Sequence, residues 1–187
     1  DVDLGSVEEH DELRFHLGGV DLEGFDLAGG RQELRGDTLI VRREDWDAID
    51  AGYSLPYKQM DLNDALRPEP LIQSDNERIR ERAREFTNWS TEWDHDPKEV
   101  ARQLTRNIYH TLDKRITFSV PSALQVLESG QGDCNEHTVL FVAMARSLGL
   151  PARTAVGLVY VDGSFFYHAW PEVWMGEWVA VDPTFGQ

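Results

Sequence analysis

Hydrophobic and polar positions change rhythm along this chain. From residue 12 to about 44 the apolar residues alternate in short pieces, Leu13, Phe15 and Leu17, then Leu39 and Val41, separated by Gly18-Gly19 and Gly29-Gly30. Period two between glycine breaks predicts short β-strands joined by turns. The stretch is too poor in apolar residues for a core of its own. It predicts a β-rich appendage over residues 1–50, or the remnant of an upstream β-domain, ahead of a main domain over residues 51–187. Residues 45–73 hold Pro56, Pro68 and Pro70 with no sustained period, which predicts an extended connection packed over the main domain.

Helical rhythm follows. Ser74 and Glu77 have capping-box spacing ahead of an arginine-rich amphipathic run to about Trp89. Asp96, Pro97 and Glu99 open a second helix reaching about Arg115. Trp89 and Trp93 are expected to pack against that neighbouring helix. A short helix is predicted over residues 121–128, ended by Gly130. Asp133 and Glu136 then cap a helix that starts at Cys134, runs through Leu140, Phe141, Val142 and Met144, and stops before Gly149 and Pro151. This last helix is apolar nearly all round, so it belongs in the core.

Three strand-like runs finish the chain, over residues 153–161, 165–174 and 178–182. Asp162-Gly163 signals a two-residue hairpin between the first two, and Met175-Gly176 marks the turn into the third. A buried helix followed by an antiparallel meander predicts an α+β fold. A three-residue loop of Trp174, Met175 and Gly176, with glycine third, suits a type I turn with a G1 bulge. That register pairs Val173 with Glu177 and sets His168 directly opposite Asp182.

Composition narrows the function classes. The chain has 187 residues, 41% hydrophobic and 10% aromatic, enough for a folded domain rather than a disordered one. Its net charge of −16 repels phosphate backbones, so nucleic acid is not an expected partner. No apolar run is long enough to span a bilayer. No loop has EF-hand spacing, and no cofactor is expected. A lone cysteine suits the cytosol and an exported enzyme without disulfides alike, so the compartment stays open.

That cysteine, Cys134, is the chief chemical candidate. At a helix start it faces the positive end of the macrodipole, which favours thiolate over thiol. In the predicted register Asp182 orients one nitrogen of His168 while the other faces the thiol, the arrangement of covalent acyl transfer. The Cys134 backbone amide is a natural oxyanion donor, with Gln125, Gln131 and Asn135 as side-chain candidates. Trp170, Trp174, Trp178 and His137 are candidates to line a substrate groove. His137 is expected to pack or hydrogen-bond near the site rather than to act as the base.

The runs Gly132-Asp133-Cys134-Asn135-Glu136-His137, Gly149-Leu150-Pro151-Ala152-Arg153, His168-Ala169-Trp170-Pro171-Glu172-Val173, and Trp178 followed by Val181-Asp182-Pro183-Thr184 resemble the core of the transglutaminase-like superfamily, in the form of a bacterial-type domain. The resemblance covers residues 121–187 and, weakly, the helices before them. It implies a papain-like α+β fold, and places the family's cysteine, histidine and aspartate on Cys134, His168 and Asp182. Superfamily members include transglutaminases, peptidases, amidases and inactive relatives. The expected activity is therefore acyl transfer through a thioester on a protein or peptide substrate, with hydrolysis favoured because it needs no second specific substrate site. Two alternatives stand beside it: a zinc site of Cys134, His137, His168 and Asp182, and a non-catalytic binding module.

Overall fold

The computed structural model describes residues 9–116 and 121–187. Residues 1–8 of the expected β-rich segment lie outside them. Three antiparallel strands, β1 (Glu12–His16), β2 (Gln32–Arg35) and β3 (Thr38–Arg42), form a small sheet in the order β1-β3-β2. Ile40 is the one fully buried side chain of these strands among the described residues. The connection that follows is extended apart from 3-10 turns at Trp46–Ala48 and Asn63–Ala65, and it buries Leu55 and Ile72 in the main core.

Helix α1 spans Glu77–Phe86 and α2 spans Pro97–Thr111. Asn76, not Ser74, caps α1, its side chain accepting the Arg78 amide. The carboxylate of Asp96 caps α2, as the sequence predicts. The second helix stops four residues short of Arg115. Leu112 turns extended, and β4 (Asp113–Lys114) pairs in parallel with β5 (Gln131–Gly132), a ladder that local periodicity does not announce. Trp89 is partly buried against the core that α2 helps to form and stacks on His95 at 3.8 Å, whereas Trp93 is exposed and does not pack as expected.

Helix α3 (Ala123–Ser129) opens with a capping box of Ser122 and Gln125, and α4 (Cys134–Ser147) with one of Asp133 and Glu136. Helix α4 packs against α1, α2 and α3, and also against the strands β6 (Ala152–Val161) and β7 (Ser164–Trp174). Leu140, Phe141 and Met144 are fully enclosed, each burial contributing about 1.5–3 kcal/mol. Positive φ at Asp162 and Gly163 makes the two-residue hairpin between β6 and β7.

The last hairpin departs from expectation. Strand β8 (Trp178–Ala180) pairs Trp174 with Trp178 and Val173 with Val179, so the three-residue loop is Met175, Gly176 and Glu177, with positive φ at the central glycine. The register is shifted by two from the predicted one. Two contacts favour the shift: Met175 is buried in the core, and the Trp174 and Trp178 rings meet edge to face at 5.4 Å. A shift of two keeps each side chain on the predicted face.

Candidate active site

The thiol is positioned by backbone. Gly132 lies so close to Glu136 that a Cβ there would stand 2.2 Å from the Glu136 Cβ. Only glycine leaves room for the buried Glu136 carboxylate to accept the Asp133 amide at 3.0 Å. Asp133 in turn accepts the amides of Asn135 and Glu136. That reciprocal cap fixes Cys134 at the first residue of α4, half-buried, while its own amide is not used by the cap.

His168 lies in β7 and is 5% exposed. Its Nε2 donates to Asp182 Oδ2 at 2.7 Å, and Cys134 lies within hydrogen-bond reach of the ring. The shifted register places Asp182 diagonal to His168 rather than opposite, a separation that two side chains on one face still bridge. Asp182 is aimed by the turn that follows it. Its Oδ1 accepts the Thr184 and Phe185 amides, at 2.8 and 3.1 Å, which leaves Oδ2 for the imidazole. Burial opposes a charge on His168, but its hydrogen bonds with Asp182 and Cys134, and its electrostatic attraction to both, outweigh it and raise its pKa to about 9.

A family model described as the transglutaminase-like superfamily matches residues 80–183, more than half of the chain. The chain belongs to the transglutaminase-like superfamily. Among solved structures, a candidate cysteine protease from Cytophaga hutchinsonii superposes with a TM-score of 0.62 at 23% identity, over 79% of this chain and 50% of that one. The ethylmercury-bound periplasmic domain of TgpA from Pseudomonas aeruginosa gives a TM-score of 0.50 at 18% identity, over 83% of this chain and 63% of that one. This chain thus spans less than two thirds of the length of either neighbour. No curated protein matches it. The fold is accordingly the mixed helix and antiparallel-sheet arrangement of transglutaminase-like proteins.

Within that transglutaminase-like frame the other sequence candidates separate. Gln125 takes part in the cap of α3, its Oε1 accepting the Ser122 amide at 2.9 Å. Gln131 sits half-buried in β5, three residues before the thiol. Asn135 is exposed, and its Oδ1 accepts from the Tyr167 hydroxyl at 3.4 Å. His137 is fully enclosed, which removes it from any groove. Its Nδ1 donates to the Asp133 carbonyl at 2.6 Å, and burial above all holds its pKa below the usual range. No group of three or more metal-ligating side chains gathers among the described residues, so the four-ligand zinc set does not form there.

The three tryptophans line open space. Trp170 borders a cavity of about 170 Å³ with His168 and Asp182, and together with Trp174 and Trp178 it borders an adjoining one of about 270 Å³. Trp170 also lies nearly parallel to His168, with 6.1 Å between centroids, and Phe185 approaches the imidazole at 5.1 Å. Gly157, directly opposite His168 in the β6–β7 ladder, makes this possible: a Cβ there would stand 2.8 Å from Trp170 Cη2. Sequence reasoning did not single out Phe185 or Gly157. The signal available for the glycine was its place within an otherwise apolar strand pattern.

Proposed function

We propose that this transglutaminase-like protein is a thiol acyltransferase in which Cys134 is the nucleophile, His168 the acid and base, and Asp182 the group that orients the imidazole. The observation that carries the reading is the short His168–Asp182 hydrogen bond beside a cysteine at the first turn of α4. A histidine with a pKa near 9 is cationic at neutral pH, and its charge sustains a thiolate next to it.

The thiolate attacks the carbonyl carbon of an amide in a protein or peptide substrate, and the C–S bond forms as the carbonyl electrons move to oxygen. The Cys134 amide at the helix N-terminus receives that negative charge, with Gln131 or Asn135 as a side-chain partner. When the intermediate collapses, the C–N bond breaks and His168 gives its proton to the departing nitrogen. The resulting thioester passes to water, with His168 taking the water's proton, and the thiolate is restored. Hydrolysis is the favoured outcome, since an amine acceptor needs a site of its own.

The test uses a glutamine-containing protein such as casein, incubated with the wild-type protein and with Cys134→Ala. The reading predicts ammonia or new amino termini from the wild type alone, with little incorporation of a labelled amine. Equal signals from both proteins would overturn it. Amine incorporation exceeding hydrolysis would instead make the enzyme a transamidase.

A further inference from the structure

The cavity beside His168 has a wall that the thiol chemistry does not use. Beside His168, Asp182 and Phe185, that wall includes Arg31, which immediately precedes β2 of the small N-terminal sheet. Arg31, Trp170 and Ala180 line both this cavity and the adjoining larger one, so Arg31 lies where the two meet. Its backbone is held firmly. The chain at Gly30 presses on β8 so closely that a Cβ would come 2.7 Å from the Trp178 carbonyl oxygen, and the Arg42 amide donates to the Arg31 carbonyl.

The charge on Arg31 is poorly matched. Its ion-pair partner is Glu44, with 4.0 Å between nitrogen and oxygen, too long for a hydrogen bond. Burial above all pushes the Glu44 carboxyl up, with Arg31 opposing that shift and Glu172 and Glu177 adding to it. Arg153, which also borders the larger cavity, is committed by contrast. It bonds Glu172 at 2.7 Å and lies over the Trp178 ring at 4.4 Å. Arg31 therefore keeps donors to offer, in a fork that matches a carboxylate.

We propose that Arg31 binds a carboxylate carried by the amine half of the substrate, which makes the cavity beside His168 a subsite for an anionic leaving group or acyl acceptor. The inference rests on the Cys134 reading: Cys134 does not line the cavity, but His168, which hands its proton to the amine nitrogen, does, so an amine half that extends past the imidazole meets Arg31 there. The protein's net charge of −16 disfavours anions elsewhere, and beside His168 Arg31, held by Glu44 only at 4.0 Å, is the group that can draw a carboxylate in against the acidic residues of the adjoining cavity. The carboxylate has two sources: the terminal carboxylate of a single amino acid, or an aspartate or glutamate side chain.

Acyl transfer to defined amines tests this. p-Nitrophenyl acetate acetylates Cys134, forming the C–S bond and expelling p-nitrophenolate. An added amine then forms the C–N bond as C–S breaks, its proton passing to His168 and the thiolate being restored. Glycine, glycinamide, aspartic acid α-amide and asparagine α-amide are compared as acceptors in the wild type and in Arg31→Gln, with acetylated products quantified by mass spectrometry. Comparing the two proteins cancels the basicity of each amine. About a tenfold loss in the variant is expected for the carboxylate-bearing acceptors alone, with partial rescue in Arg31→Lys. Loss confined to glycine assigns the terminal carboxylate, and loss confined to aspartic acid α-amide assigns the side chain. Nitrophenolate release with acceptor yields equal in wild type and Arg31→Gln would overturn the Arg31 proposal alone. Release no faster than in Cys134→Ala would overturn the thiol reading, and this one with it. If Arg31→Gln melts early, Arg31→Lys carries the comparison.

Discussion

His168 donates to Asp182 across 2.7 Å even though Asp182 lies beyond the end of β8 and diagonal to its partner. The pair raises the histidine pKa from 6.5 to about 9, so the folded state holds a proton that the unfolded chain releases. The resulting stabilisation is complete below about pH 6.5 and is lost as pH rises through about 9. Unfolding midpoints measured from pH 6 to pH 10 should therefore fall across this window. Asp182→Asn, lacking the charge, should flatten the fall, and an unchanged slope in that variant would refute the coupling.

Cys134 should react with iodoacetamide faster than an ordinary thiol at pH 7, and His168→Ala should slow that reaction. Removing the imidazole also takes away the proton donor to the leaving amine. Turnover in His168→Ala should drop by about 10²- to 10⁴-fold, whereas Cys134→Ala should lose alkylation altogether. Identical alkylation rates in wild type and His168→Ala would count against the ion pair.

Gly157→Ala places a methyl group 2.8 Å from Trp170 Cη2 and must push the indole away from His168. The overpacking should cost about 1–3 kcal/mol of stability. It should also lower Cys134 reactivity. Trp170→Phe, whose ring stops short of the contact, should remove most of the penalty when combined with Gly157→Ala. A penalty of the same size in both backgrounds would show that glycine and indole are not coupled.

Gly132→Ala should be more damaging, since its methyl group would overlap the Glu136 side chain. Glu136→Gln, which retains an acceptor for the Asp133 amide, is the milder companion. The alanine variant is expected to lose at least about 2 kcal/mol and to slow alkylation of Cys134, while the glutamine variant should preserve most of both. Denaturant unfolding and iodoacetamide kinetics on the same samples check the pair.

The sequence made some of these features legible because they are local. The Asp133 and Glu136 cap, the end of α4 at Gly149, and the Asp162-Gly163 turn each depend on residues within a few positions of one another. The shared face of His168 and Asp182 was legible too, because parity alone decides it. Their register was not, because it turned on Met175 entering the core and on the Trp174–Trp178 contact, which depend on the assembled hairpin. The β4–β5 ladder and the approach of Arg31 to the cavity beside His168 join segments far apart in the chain, and nothing in either segment names the other.

Strand β7 presents two different surfaces. Ala169, Pro171 and Val173 are buried, whereas His168, Trp170, Glu172 and Trp174 border the cavities. Alternate positions thus serve separate ends. From residue 168 onward the odd-numbered residues of this segment face the core, and the even-numbered ones face the cavities in which the proposed chemistry is set. On the acyl-transfer reading, a substitution at Trp170 would reshape both cavities while its neighbours Ala169 and Pro171 stay in the core, whereas Glu172 and Trp174, tied to Arg153 and Trp178, leave less room for change.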